Sequence, residues 1–245
     1  MIKKLLSVFA IAIVLVSCQF TETMVLNEDG SGTLSVSVDM KEMMAFGDLA
    51  NDSTMVKMDT VIRMKDVLLE KKDSIATLPQ EQQDRLKKIE NFNFRTFMDP
   101  DKSEMFFDVF TNFKNVEEAN ELMNAFESGG NFLQAGGSDT AINSDPDSGG
   151  SMAVSFEYKK NKFTRNAYIT DKTRHQMQMD SMKSSEGFMG TMVYKLKYTF
   201  PKRIVKSSIE DARFSMDGKT IEVETTFLEY LKNPDILDLE VELEN

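Results

Sequence analysis

Met192, Tyr194, Leu196, Tyr198 and Phe200 take every second position of one run, with Lys195 and Lys197 between them. A helix cannot keep residues two apart on one face, so this run is a strand with one buried and one wet side. The pattern recurs near the end, where Leu237, Leu239, Val241 and Leu243 alternate with Asp238, Glu240, Glu242 and Glu244. It also opens the chain's folded part, where Leu34, Val36 and Val38 alternate with Ser35, Ser37 and Asp39. A strand over 20–26 precedes that run. The turn Glu28-Asp29-Gly30-Ser31-Gly32 joins the two, and its Asp-Gly step favours a hairpin.

Between these runs the periodicity changes. Met40, Met43, Met44 and Leu49 predict a short helix, and Val61, Met64, Leu68 and Ile75 an amphipathic helix of about four turns. Pro79 predicts the start of a helix over 80–91. Strands follow at 92–98 and 103–112 around Asp99-Pro100-Asp101. The second has Phe107 on one side and Phe106 and Phe110 on the other, which predicts a central strand covered on both faces. Asn115 is placed to cap a helix over 116–127, whose apolar stripe is Val116, Ala119, Leu122, Met123 and Phe126. Residues 128–151 are rich in Gly, Ser, Asp and Asn and predict a flexible insert. Strands at 152–158 and 162–169, a polar helix at 171–184, and shorter strands at 202–209, 211–216 and 220–225 complete the order, with a turn or short helix at 227–233. The class is α+β: a curved, mainly antiparallel sheet with helices packed on one face, in one domain spanning 18–245.

The N-terminus reads differently. Met1-Ile2-Lys3-Lys4 is a short basic segment, and residues 5–16 form an uncharged apolar run too short to span a bilayer. Leu15-Val16-Ser17-Cys18 follows this pattern and contains the one cysteine of the chain. The arrangement resembles the signal peptide and lipobox of bacterial lipoproteins. That resemblance implies cleavage of residues 1–17, alkylation of the Cys18 thiol with diacylglycerol, and a membrane anchor made of acyl chains such as palmitate. Two or more such chains hold a protein stably on a bilayer. Gln19, rather than Asp, follows the cysteine, and no acidic run does. The resemblance therefore implies the outer membrane of the cell envelope, with the domain facing the periplasm.

Beyond the anchor, the layout resembles the LppM-like domain of bacterial envelope lipoproteins. The likeness is carried by Asn27-Glu28-Asp29-Gly30-Ser31-Gly32, by Tyr198-Thr199-Phe200-Pro201 leading to Val205, and by Asp217-Gly218-Lys219-Thr220 before a closing strand. It implies a membrane-tethered α/β domain with no assigned enzymatic role and no transferable site residue.

Charge and residue content narrow the function. Loss of residues 1–17 removes two lysines and no acid, taking the formal charge from −11 to −13. Such a surface repels nucleic acid and anionic headgroups. With Cys18 acylated no disulfide forms, and stability rests on packing. One histidine, no tryptophan and no second cysteine exclude a multi-histidine zinc site and a cysteine nucleophile.

His175, Met177, Met179 and Met182 place soft ligands on one predicted helix, and thioethers with imidazole select Cu(I). Methionine numbers 18 in this chain, so a packing stripe explains the same residues. The acids of 139–147 and 99–104 lack the spacing of a calcium loop. No phosphate loop, glycine elbow or nucleophile motif is present. The sequence points to a non-enzymatic, cofactor-free, lipid-anchored envelope protein that binds another envelope protein or a lipid-like hydrophobic ligand. Its rivals are a hydrolase using acidic side chains and a Met-rich Cu(I) handling protein.

Overall fold

The computed structural model describes residues 19–41, 56–128 and 150–245. The expected leader, Cys18, Met43 and Met44, and nearly all of the 128–151 insert lie outside them. Among the described residues are twelve strands: β1 (Gln19–Leu26), β2 (Gly32–Asp39), β3 (Met58–Arg63), β4 (Asn93–Asp99), β5 (Glu104–Phe113), β6 (Met152–Lys159), β7 (Lys162–Ile169), β8 (Val193–Thr199), β9 (Ile204–Ser207), β10 (Arg213–Phe214), β11 (Thr220–Thr226) and β12 (Leu239–Leu243). The helices are α1 (Met64–Glu70), α2 (Lys72–Ile75), α3 (Gln80–Lys88), α4 (Val116–Ser128), α5 (Lys172–Met182), α6 (Glu186–Met189) and α7 (Phe227–Lys232).

The α+β class expected from the strand and helix pattern is what the structure holds. Eight strands form one sheet in the order β10-β11-β8-β1-β2-β5-β4-β3, antiparallel throughout except for β1 beside β8. Four more form an antiparallel sheet, β6-β7-β12-β9. This smaller sheet, together with α4 and α7, covers the inner face of the larger one. Phe163 of β7 meets Tyr198 and Phe200 edge-on, with ring centres 5.6 and 5.2 Å apart, and Phe156 of β6 reaches the same tyrosine at 6.4 Å. Helices alone therefore do not cover the sheet.

Local chemistry sets the element ends. Gly30 takes φ +82° in the β1–β2 turn, where Asp29 accepts hydrogen bonds from Ser31 N at 3.0 Å and Ser31 Oγ at 2.6 Å. Asn115 Oδ1 accepts from Glu118 N at 2.9 Å and caps α4 as expected. One expectation fails at β3. Val61 lies in a strand, and the helix begins only at Met64. Thr60-Val61-Ile62 is a β-branched triplet, and pairing with β4 satisfies its backbone in a way an isolated helix turn does not.

β6 is an edge strand whose outer ladder is covered at Val154 and Phe156. Asn120 and Asn124, one turn apart on α4, present their amides to it. Asn120 Nδ2 donates to the Phe156 carbonyl at 3.0 Å, its Oδ1 accepts from Phe156 N, and Asn124 Oδ1 accepts from Val154 N at 3.1 Å. A helix here supplies the bonds a neighbouring strand would make.

Candidate functional site

Two polar constellations are assembled by the sheets, one sealed and one open. The sealed one lies between them. On β1 the buried phase is Phe20, Glu22, Met24 and Leu26, and on β7 it is Phe163, Arg165 and Ala167. Glu22 and Arg165 are each wholly buried and face one another, with Arg165 Nη2 2.9 Å from Glu22 Oε2. Tyr194 donates its hydroxyl to the same carboxylate at 2.9 Å, and Tyr198 donates to the other oxygen. Arg165 Nη1 donates to the Leu237 carbonyl at 3.2 Å, and Nη2 reaches the Tyr230 hydroxyl at 3.4 Å. Burial is the largest single influence on Arg165 and works against its charge, but the Glu22 carboxylate together with the Tyr198, Tyr230 and Tyr194 hydroxyls outweighs it and holds the guanidinium well above its ordinary range. Burial, and then the Glu22 charge, push the Tyr198 hydroxyl well up. Glu22 and Arg165 have no exposed surface, and their network ties the two sheets together.

The open constellation is on the opposite face, built by register across β2, β5, β4 and β3. Ser37, Asp108, Arg95 and Val61 form one cross-strand row, and Asp39, Phe106, Phe97 and Asp59 form the next. Arg95 grips Asp59 with two bonds, Nε to Oδ1 at 2.8 Å and Nη2 to Oδ2 at 2.9 Å. The same guanidinium stands 5.3 Å from the Phe106 ring centre and 5.8 Å from that of Phe97, and the two rings stack 4.7 Å apart. Hydrogen bonds from Arg95 hold Asp59 below the usual carboxylate range and raise Arg95 in turn. Ser37 donates to Asp108. Phe97, Phe106 and Phe110 are only half-buried, and so is Phe107, so the expectation of a strand covered on both faces is corrected: β5 is buried only on its inner side and only from Val109 to Phe113. Ser35, Asp59, Val61, Arg95, Asp108 and Phe110 line a shallow depression of about 680 Å³.

Across the rest of this face the charges are matched. Lys195 meets Glu224 at 2.8 Å, Lys197 meets Glu222 at 3.2 Å, and Arg213 also pairs with Glu224. Thr21, Thr23, Ser35 and Ser37 form a hydroxyl band between this ladder and the aromatic end. A smaller hollow of about 320 Å³, lined by Arg203, Lys206, Phe214 and Met216 among others, contains no carboxylate in its wall.

The residues singled out for Cu(I) all lie in α5. His175 Nε2 donates to the Leu231 carbonyl at 2.7 Å and ties α5 to α7. Met177 is 61% exposed, whereas Met182 packs against the core and Met179 is half-buried. One imidazole nitrogen is thus committed to backbone, and the thioethers divide between solvent and core. Of the acids at 99–104, Asp99 is buried and takes Lys57 Nζ at 2.7 Å, with Lys102 Nζ at 3.8 Å. The Lys57 hydrogen bond holds Asp99 below its usual range. No group of three or more His, Cys, Asp or Glu placed to hold a metal occurs among the described residues. Cys18 lies outside them, and Gln19, the next residue, begins β1. Sequence reasoning misses both the buried pair and the Arg95 cluster. The pair has a signal, since Glu22 stands in the phase of Phe20, Met24 and Leu26.

No family model matches the chain, and no curated protein is similar to it at a significant level. Among solved structures it is similar to the folded domain of LppM from Mycobacterium tuberculosis, with 8% identity, 93% of this chain and 89% of that chain covered, and a TM-score of 0.42. No residue role is transferred from that likeness.

Proposed function

We propose that this chain is a lipid-anchored cell-envelope protein that acts by binding, and that the aromatic and arginine end of the open sheet face receives another envelope protein. The carrying observation is the Arg95 cluster. Three half-buried phenylalanines share this end of the face with an arginine whose carboxylate partner fixes it in place. Phenylalanine and arginine are both enriched at protein interfaces, and arginine is among the residues that carry most of the binding energy.

Catalysis fits the same residues poorly. Acid–base work by two carboxylates needs environments that push their pKa values apart, with one raised toward neutrality. Asp59 is instead drawn down by Arg95, and Asp108 accepts from Ser37. A hydrophobic ligand between the sheets would have to displace Phe163, Tyr198 and the Glu22–Arg165 pair, which occupy that space. The anchor reading rests on the lipobox resemblance and gains a geometric consequence. Gln19 opens a central strand directly after Cys18, so the domain stands at the bilayer with no spacer.

Two measurements test the proposal. Mass spectrometry of the mature N-terminus should find Cys18 carrying acyl chains. Photoreactive residues placed at Phe97, Phe106 and Phe110 in living cells should each give the same discrete adduct, while one at Tyr168, which is 49% exposed on β7, should not. Equal labelling from all four positions removes the assignment of the face.

A further inference from the structure

We infer that the free edge of β3 pairs with β3 of a second copy of this chain, antiparallel and centred on Val61. Two of the other sheet edges are too short to template a strand, β10 with two residues and β9 with four, and β6 is covered by Asn120 and Asn124. β3 has six residues, and among the described residues no strand pairs on its outer side. Asp59 through Arg63 are all exposed, including Val61 at 47% and Ile62 at 40%. Long open edges of this kind are docking templates unless a protein blocks them.

The backbone direction fixes which residues could pair. Met64 N donates to the Phe92 carbonyl, so Met64 points toward β4, and alternation then points Ile62, Thr60 and Met58 the same way. A second bond agrees: Met40 N donates to the Met105 carbonyl, which places odd-numbered β5 residues toward β2 and odd-numbered β4 residues toward β5. The outward N–H and C=O groups of β3 therefore belong to Asp59, Val61 and Arg63.

Those three residues are self-complementary. A two-fold axis at Val61 sets Val61 opposite its copy, and Asp59 opposite Arg63 in both directions. Each of these pairs exchanges both of its backbone bonds. The charges then alternate from strand to strand across the joined face: Asp108 on β5, Arg95 on β4, Asp59 on β3, and Arg63 of the second copy. Among the described residues the ion pair of Arg63 within one copy is a 3.7 Å contact to Asp66, with both side chains about 70% exposed, so little is lost when it re-pairs. Threonine, valine and isoleucine supply the side-chain fit of a strand pair. An edge of this length buries less than a standard interface and makes a weak dimer.

The full chain in detergent, studied by sedimentation equilibrium, tests this. The protein mass should double with rising concentration. Val61→Pro removes the N–H at the axis without removing a bond to β4, and should leave a monomer with unchanged circular dichroism. Arg63→Glu sets like charges opposite each other twice and should weaken the dimer by about tenfold. In a Cys18→Ser background, Val61→Cys should form an intermolecular disulfide on oxidation, while Val205→Cys, on the edge of β9 and 59% exposed, should not. A monomer at every concentration up to roughly 200 µM overturns the inference. So does a dimer that survives both Val61→Pro and Arg63→Glu. If Val61→Pro fails to fold, the Arg63 and cysteine results decide. None of these outcomes depends on acylation of Cys18, so the anchor and this interface fail separately.

Discussion

Arg165 and Glu22 are 143 residues apart in sequence and meet at 2.9 Å with neither side chain exposed to water. Their contact joins the two sheets through charge where the surrounding core is apolar. Removing one member strands the other in an apolar space. Arg165→Met should therefore lower stability by about 3–5 kcal/mol in urea unfolding. Glu22→Leu combined with Arg165→Met leaves no buried charge between the sheets, although Tyr194 and Tyr198 lose their acceptor. The double variant should cost clearly less than the two single losses added together. Additive losses would show that the pair does not act as a unit.

Tyr198 gives a pH signature. Its hydroxyl is pushed well above the ordinary value of 10.0 by burial and by the Glu22 charge. A tyrosine raised in the folded state ionises first in the unfolded chain. Its contribution is fully present below about pH 10 and is lost as the pH climbs from there toward the folded value. Stability should thus fall above about pH 10, with a shallower fall in Tyr198→Phe. At neutral pH the same substitution removes the hydrogen bond to Glu22 and should cost about 1–3 kcal/mol. Stability measured in urea at pH 7 and across pH 9–11 checks both statements.

How much of this architecture is legible in the sequence depends on the range of the interaction that decides each element. β8 is read from Tyr194, Leu196 and Tyr198 alone, because alternation is local and one buried face forces it. β3 is misread because Val61, Met64 and Leu68 fall at helical spacing, and the choice is made by β4, more than thirty residues away. The second sheet is hidden for the same reason. β9 pairs with β12, while β10 and β11, which lie between them in the chain, join the other sheet. Nothing in Ile204–Ser207 announces that switch.

The open site is half visible in the same way. Phe106 and Phe110 are legible as one face of β5. Arg95 and Asp59 enter that face only through cross-strand register, which no single strand specifies. Glu22 is a detectable exception, an acid in a buried phase, and its partner Arg165 breaks the alternation of β7 in the same way. Two opposite charges in buried phases on separate strands are a pairing signal that sequence alone can raise.

The α4 amides make a further prediction. Asn120→Ala leaves the Phe156 N–H and C=O without their side-chain partner on the β6 edge. The cost should be about 1–3 kcal/mol. Hydrogen exchange should rise at Phe156 more than at Phe163, which is in the sheet interior on β7. Asn120→Asp keeps the acceptor for Phe156 N and loses the donor, so it should fall between the wild type and alanine. Uniform protection across the three proteins would refute the edge-covering role.

Gly30 and Gly32 flank the same turn and should respond to alanine for different reasons. Gly30 holds φ +82°, and a Cβ added there would have no atom within 4 Å, so Gly30→Ala meets only backbone strain of about 1–2 kcal/mol. Asparagine tolerates that conformation better, and Gly30→Asn should recover part of the loss. Gly32 has no positive φ. A Cβ there would strike the Val25 carbonyl and lie 2.6 Å from the Phe113 ring edge. A ring can turn, but a carbonyl inside the β1–β2 ladder cannot move without shifting the register. Gly32→Ala should therefore cost more than Gly30→Ala, about 2–3 kcal/mol, and asparagine at position 32 should rescue nothing. Thermal or urea unfolding of the four variants separates the two causes: equal losses at both glycines, or rescue by asparagine at both, would mean that conformation alone governs this turn.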